Sequence, residues 1–220
     1  MKTIILFLFL LSASGLAFSQ ERPDPAASIR ELKDGVLVVR LRTQANKIAK
    51  LEALLSKEDP ETMQYNRLAY EIGKTKQEVE TENHLLVKAF KDHYRFSDVL
   101  FLYDTMAPLL RMENRPPIFL DDSLKADPSL IMENRPYLIA GMGATDPSGS
   151  ALDEDALVIY DRSFNIMQSP FPGSSGMSGI RLVWKSFSLD DEELQTYFFQ
   201  KIVARLNRRL SGYYGKVSEL

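Results

Sequence analysis

The sequence predicts a single α/β domain: a mixed sheet of about five to seven strands, an inserted long helical hairpin and a C-terminal helix covering the sheet. Three observations predict it. Compact apolar runs rich in β-branched residues, such as Val36–Arg42, Val99–Tyr103 and Ala156–Tyr160, suit buried strands. Between the first two runs, and again at the C-terminus, apolar residues recur at helical spacing. A unit is written twice, Pro108–Pro116 (PLLRMENRP) and Pro128–Pro136 (PSLIMENRP), each copy running into an apolar segment.

The N-terminus reads as a signal peptide over Met1–Ser19. Lys2 supplies the positive start, Ile4–Leu11 the apolar core and Ala17-Phe18-Ser19 the small-x-small cleavage pattern. An exported protein, periplasmic or secreted, is therefore expected. Gln20–Lys33 is polar with two prolines and is expected to be a flexible lead-in to a domain over 34–214, with 215–220 as a tail. Asp34-Gly35 makes the turn into the first strand, and Thr43, just after that strand, is placed to cap the next helix.

Residues 44–94 are expected to form the helical hairpin. Ile48, Leu51 and Leu55 mark its first helix, Asp59-Pro60 starts the second, and Leu68, Ile72, Val79, Leu86 and Phe90 form the second stripe. The stretch from Gly73 to His84 is nearly all polar, so it either projects into solvent or breaks.

In the repeat, Pro128 suits a first helical position, Asp127 can accept from the turn's free amides, and Asn114 and Asn134 suit a left-handed helix stop. Arg115 and Arg135 precede proline and are pushed into extended geometry, where a strand begins. The two units are expected to yield two neighbouring strands. Ala156–Tyr160, Asp161–Ser163 and Phe164–Met167 read as a hairpin, Gly173–Gly179 as a flexible crossing, and Ile180–Phe187, with Trp184, as a last strand. Ser188 and Asp191 resemble a capping box, Leu194, Phe198, Ile202, Leu206 and Leu210 repeat every fourth position, and Gly212 closes the helix. Arg205, Arg208 and Arg209 are expected to complement its dipole.

Composition excludes several functions. Zero cysteines rule out disulfides, thiolate catalysis, cysteine-held metals and a lipoprotein anchor. A net charge of -3 with interspersed signs gives no footprint for nucleic acid. No segment after the signal is apolar enough for a membrane span. Gly141-Met142-Gly143 follows a strand as a dinucleotide fingerprint does, but Asp146 stands at the third glycine and Pro147 replaces the helix, so no cofactor is expected. Ser174, Ser175 and Ser178 lack a nucleophile-elbow spacing, and His84 and His93, nine apart, fall on opposite faces of one helix. No metal site is expected.

Carboxylates at strand ends are the residual catalytic candidates: Asp104, Asp121, Asp122, and Asp153 and Asp155 around Glu154. Adjacent strand residues face opposite ways, so at most one of Asp121 and Asp122 can join a shared site.

The strings Gly35–Thr43 (GVLVVRLRT), Phe119–Leu124 (FLDDSL) and Pro170-Phe171-Pro172 resemble a family of uncharacterised, signal-peptide-bearing proteins from Bacteroidetes-type bacteria. The resemblance implies export and a single domain, and carries no assigned activity. The leading expectation is a non-catalytic binding or assembly protein of the cell envelope, meeting another envelope protein through its 44–94 helices. The alternative is a carboxylate-based hydrolase or a divalent-cation-dependent enzyme built on the aspartates.

Overall fold

The computed structural model describes residues 23–112, 116–144, 156–177 and 190–219. Its elements are α1 (Pro25–Asp34), β1 (Val36–Leu41), α2 (Ala45–Leu55), α3 (Met63–His93), β2 (Asp98–Tyr103), a 3-10 helix (Asp104–Arg111), β3 (Tyr137–Gly143), β4 (Ala156–Tyr160), β5 (Ser174–Gly176) and α4 (Asp191–Ser218). The mixed five-stranded sheet runs β2-β1-β3-β4-β5. β1 is parallel to both neighbours, while β3–β4 and β4–β5 are antiparallel. The expected α/β class, mixed sheet and C-terminal helix are all present.

β1 is an inner strand, between β2 and β3, and is apolar on both faces. Leu37, Val39 and Leu41 point into a large core with Ile29 and Leu32 of α1, Leu86 and Phe90 of α3, and Ile202, Val203 and Leu206 of α4. Val36 and Val38 point the other way, into a smaller cluster closed by Ala107 and Leu110 of the 3-10 helix and by Ile118, Phe119 and Met132. Alternation along one strand thus assigns the α-helices to one face, and the 3-10 helix and loops to the other.

The expected lead-in is an ordered helix from Pro25. Asp24 caps it through the amides of Ala26 and Ala27, and Ile29 and Leu32 are buried. Polar composition hid it, because only one narrow stripe of a ten-residue helix needs to be apolar. Gly35 comes directly after; a Cβ there would stand 2.2 Å from the carbonyl oxygen of Pro136, which accepts from the Val36 amide at 3.0 Å.

The helical hairpin forms as expected, with one shift. Thr62, not Asp59-Pro60, caps α3, its hydroxyl accepting from the Tyr65 amide at 3.1 Å, while Asp59 and Pro60 lie in the preceding turn. α3 runs unbroken through its polar middle, because Thr75, Val79 and Asn83 at spacing four are buried. Thr43 accepts from the Ala45 amide at 3.3 Å.

The repeat does not give two like strands. The second copy leads into β3, beside β1. The first copy's apolar segment contributes one residue, Leu120, bridged to Phe101 and Ala126. Pro108 sits inside the 3-10 helix, whereas Pro128 sits in an isolated turn where Asp127 accepts from the Ser129 amide at 2.8 Å. Equivalent methionines diverge, Met112 being 49 % exposed and Met132 2 %. The left-handed residue is Glu133 (φ 54) rather than Asn134. Glu113, Asn114 and Arg115 lie outside the described residues.

A different pair of segments does share a conformation. In Leu120–Ala126 and Tyr160–Ile166, an aspartate (Asp121, Asp161) accepts from the amides two and four residues on. The residue between those two amides is left-handed (Leu124, φ 58; Phe164, φ 65), and an antiparallel bridge closes each loop.

Three further expectations shift at the C-terminal end. Gly173–Gly179 is not merely a crossing, since Ser174–Gly176 forms β5. Ile180–Phe187 with Trp184, and Ser188, lie outside the described residues; the capping box is made by Asp190 and Glu193. α4 continues past Gly212 and through most of the expected tail, burying Val217. The arginine cluster therefore lies mid-helix, where Arg205 and Arg209 donate to the carbonyls of Gly176 and Ser174 on β5.

Candidate functional site

β2 and β3 lie on opposite sides of β1, so the strand order reverses there. In open α/β sheets such a switch point leaves a crevice beyond the C-terminal strand ends. Over β1 and β2 a crevice of about 290 Å3 is covered by α2 and α3. Thr43 and Tyr103 stand at the strand ends, with Ser123 and Leu124 arriving from the first tight loop.

α3 supplies the opposite wall through Lys76, Glu80 and His84, which share a face at spacing four. Lys76 is already paired with Glu52 of α2 at 2.9 Å. Asn83 is buried and donates to the Arg42 carbonyl at 2.9 Å, fastening α3 to the end of β1. The Tyr103 hydroxyl donates to the Leu124 carbonyl at 3.1 Å. Burial, and then the Glu80 carboxylate, push its pKa above 10.0, so it remains a neutral donor at physiological pH.

The aspartates named from sequence separate. Asp104 accepts from the Thr43 hydroxyl at 2.6 Å, at the crevice's margin. Asp121 is occupied by the amides of Ser123 and Lys125, and Asp122 pairs with Lys91. Asp153 and Asp155 lie outside the described residues. Among the described residues no group of three His, Asp or Glu side chains could hold a metal, and no serine or threonine hydroxyl is hydrogen-bonded to His84 or His93. Among the same residues no helix is long and apolar enough to cross a membrane.

Sequence reasoning missed Thr43, Tyr103 and Glu80 as crevice residues. For Glu80 the signal was available: it stands four residues from both Lys76 and His84 on one predicted helix.

A second surface lies on the hairpin. Leu54 near the end of α2 is 50 % exposed, and Met63 and Tyr70 of α3 are 89 % and 67 % exposed. Met63 and Tyr70 are two turns apart and share a face. α2 has no fully buried residue; Ile48, Leu51 and Leu55 are only half covered.

No protein-family model, curated protein or solved structure matches the chain.

Proposed function

We propose that this chain is an exported, non-catalytic binding or assembly protein of the cell envelope, which docks a partner protein through its helical hairpin. One observation carries the reading: three large apolar side chains, Leu54, Met63 and Tyr70, are exposed on the hairpin. Exposed aromatic and methionine side chains are the types enriched at the centres of protein interfaces. The signal-like Met1–Ser19 supports export.

The test keeps the fold intact. Deleting residues 44–94 would remove Leu86 and Phe90 from the core, so point variants are needed. Leu54→Ser, Met63→Ser and Tyr70→Ser combined should leave circular dichroism and thermal stability near wild type, because all three positions are exposed. A partner cross-linked to the wild-type chain in envelope extracts should be lost with the triple variant; equal recovery sinks the docking reading. Fractionation of cells expressing the full chain tests export separately, through a shortened form outside the cytoplasm.

A further inference from the structure

On the sheet face away from α3, Arg40 projects from the next-to-last residue of β1, between Leu102 on β2 and Gly141 on β3. Its guanidinium carbon lies 5.4 Å from the ring centre of Phe164 and 6.0 Å from that of Tyr160. Arg111, at the end of the 3-10 helix, places its guanidinium 5.3 Å from the same Phe164 ring. Two cations therefore share one aromatic ring. Their side chains come from elements that are far apart in sequence.

Two features make this more than packing. Arg40 Nε is buried and has no hydrogen-bond partner, and a buried donor left unpaired is destabilising. Neither Arg40 nor Arg111 is in an ion pair within 4.0 Å among the described residues. Arg111 Nε donates to the Arg162 carbonyl, at a long 3.3 Å. Phe164 is fixed by its loop. It takes the left-handed conformation (φ 65), and buried Asp161 holds the turn through the amides of Ser163 and Asn165 and the Asn165 side chain. The ring is thus prearranged, as recognition sites require.

A cation–ring contact uses none of a guanidinium's N–H donors as a hydrogen bond would, and those donors match the geometry of an oxyanion. We propose that Arg40 and Arg111 form an anion-binding site for the carboxylate or phosphate group of a small ligand, with Phe164 and Tyr160 holding Arg40 in place. The site is separate from the hairpin surface and stands whether or not the hairpin docks a partner.

The test uses the full mature chain and three probes at matched ionic strength: sodium phosphate, sodium acetate and sodium chloride. Thermal unfolding and the 1H–15N signal of Arg40 Nε–Hε, assigned by its disappearance in Arg40→Lys, are followed together. Phosphate or acetate should raise Tm saturably beyond chloride and shift the Nε–Hε signal, and whichever does so identifies the group. Arg111→Met, at an exposed position, should weaken the apparent affinity about tenfold or more, the loss expected for one charge-assisted contact. Arg40→Met should do the same. The proposal is overturned if chloride matches both oxyanions, if the Nε–Hε signal does not move, or if Arg111→Met binds as wild type.

Discussion

The Thr43 hydroxyl donates to the Asp104 carboxylate at 2.6 Å and so ties the loop leaving β1 to the residue after β2. A hydroxyl–carboxylate bond is of the charge-assisted kind. Thr43→Val keeps the shape and removes both the donor to Asp104 and the acceptor for the Ala45 amide, and should cost about 1–2 kcal/mol in urea unfolding. Combined with Asp104→Asn, the losses should fall short of additive by about 1 kcal/mol, the signature of a direct contact. Strictly additive losses would show that the two side chains do not act on each other in solution.

Gly35 and Gly73 should respond oppositely to the same substitution. At Gly35 a Cβ would meet the Pro136 oxygen at 2.2 Å and the Glu31 oxygen at 2.6 Å, both backbone atoms that cannot step aside without moving β3 or α1. Gly35→Ala should therefore destabilise by about 3 kcal/mol or more. At Gly73, inside α3, nothing lies within 4 Å, and Gly73→Ala should stabilise by up to about 1 kcal/mol through helix propensity. Chemical denaturation of both variants checks the pair.

Tyr94 is buried, and that burial pushes its pKa well above 10.0, against a smaller opposing effect of its hydrogen bond with Ser97 at 2.9 Å. A raised folded-state pKa means stability that is complete below the unfolded value near 10.0 and is lost as pH climbs from there toward the folded value. Wild-type stability should fall steeply above pH 10, and the fall should be shallower in Tyr94→Phe. A Tyr94→Phe variant with an unchanged alkaline slope would assign the effect to other groups.

β5 is the last strand of the sheet among the described residues and only three residues long. Ile159 donates to the Gly173 carbonyl at 2.7 Å, so by antiparallel alternation the carbonyls of Ser174 and Gly176 face away from β4. Arg209 and Arg205 occupy these two acceptors, and the buried Ser175 hydroxyl donates to the Ile202 carbonyl at 2.7 Å. Arg205→Ala with Arg209→Ala should uncover an unpaired strand edge and increase concentration-dependent association in light scattering. Ser175→Ala should lower stability by about 1 kcal/mol without that association.

The legible parts of the fold were those where one residue's periodicity decides the outcome. Val36–Leu41, the stripe Leu68–Phe90 and the core residues Ile202, Leu206 and Leu210 announced themselves because burial of a face leaves a repeat in the sequence. Identity of sequence was a poorer guide. Met112 and Met132 occupy equivalent places in the repeat yet differ in burial, because the partner that decides burial is the sheet face beneath them, and only the second copy feeds a strand beside β1. The twin loops at Asp121 and Asp161 share hydrogen bonds but only aspartate and serine at matching positions, so no string search would find them. Thr43 and Tyr103 were illegible as crevice residues for the same reason: they become neighbours of Glu80 only when the hairpin folds back over the strand ends.

α3 spans 31 residues as one helix but not as one environment. Its first half, around Leu68 and Ile72, leans on the half-covered α2, whereas Leu86, Val87 and Phe90 are inside the main core. Amide hydrogen exchange should therefore divide the helix. Protons before about Lys76 should exchange through local openings of low free energy, and those after Val79 only through global unfolding. The outer half of the helix is then a cooperative unit of its own, able to melt and re-form while the sheet beneath it stays folded.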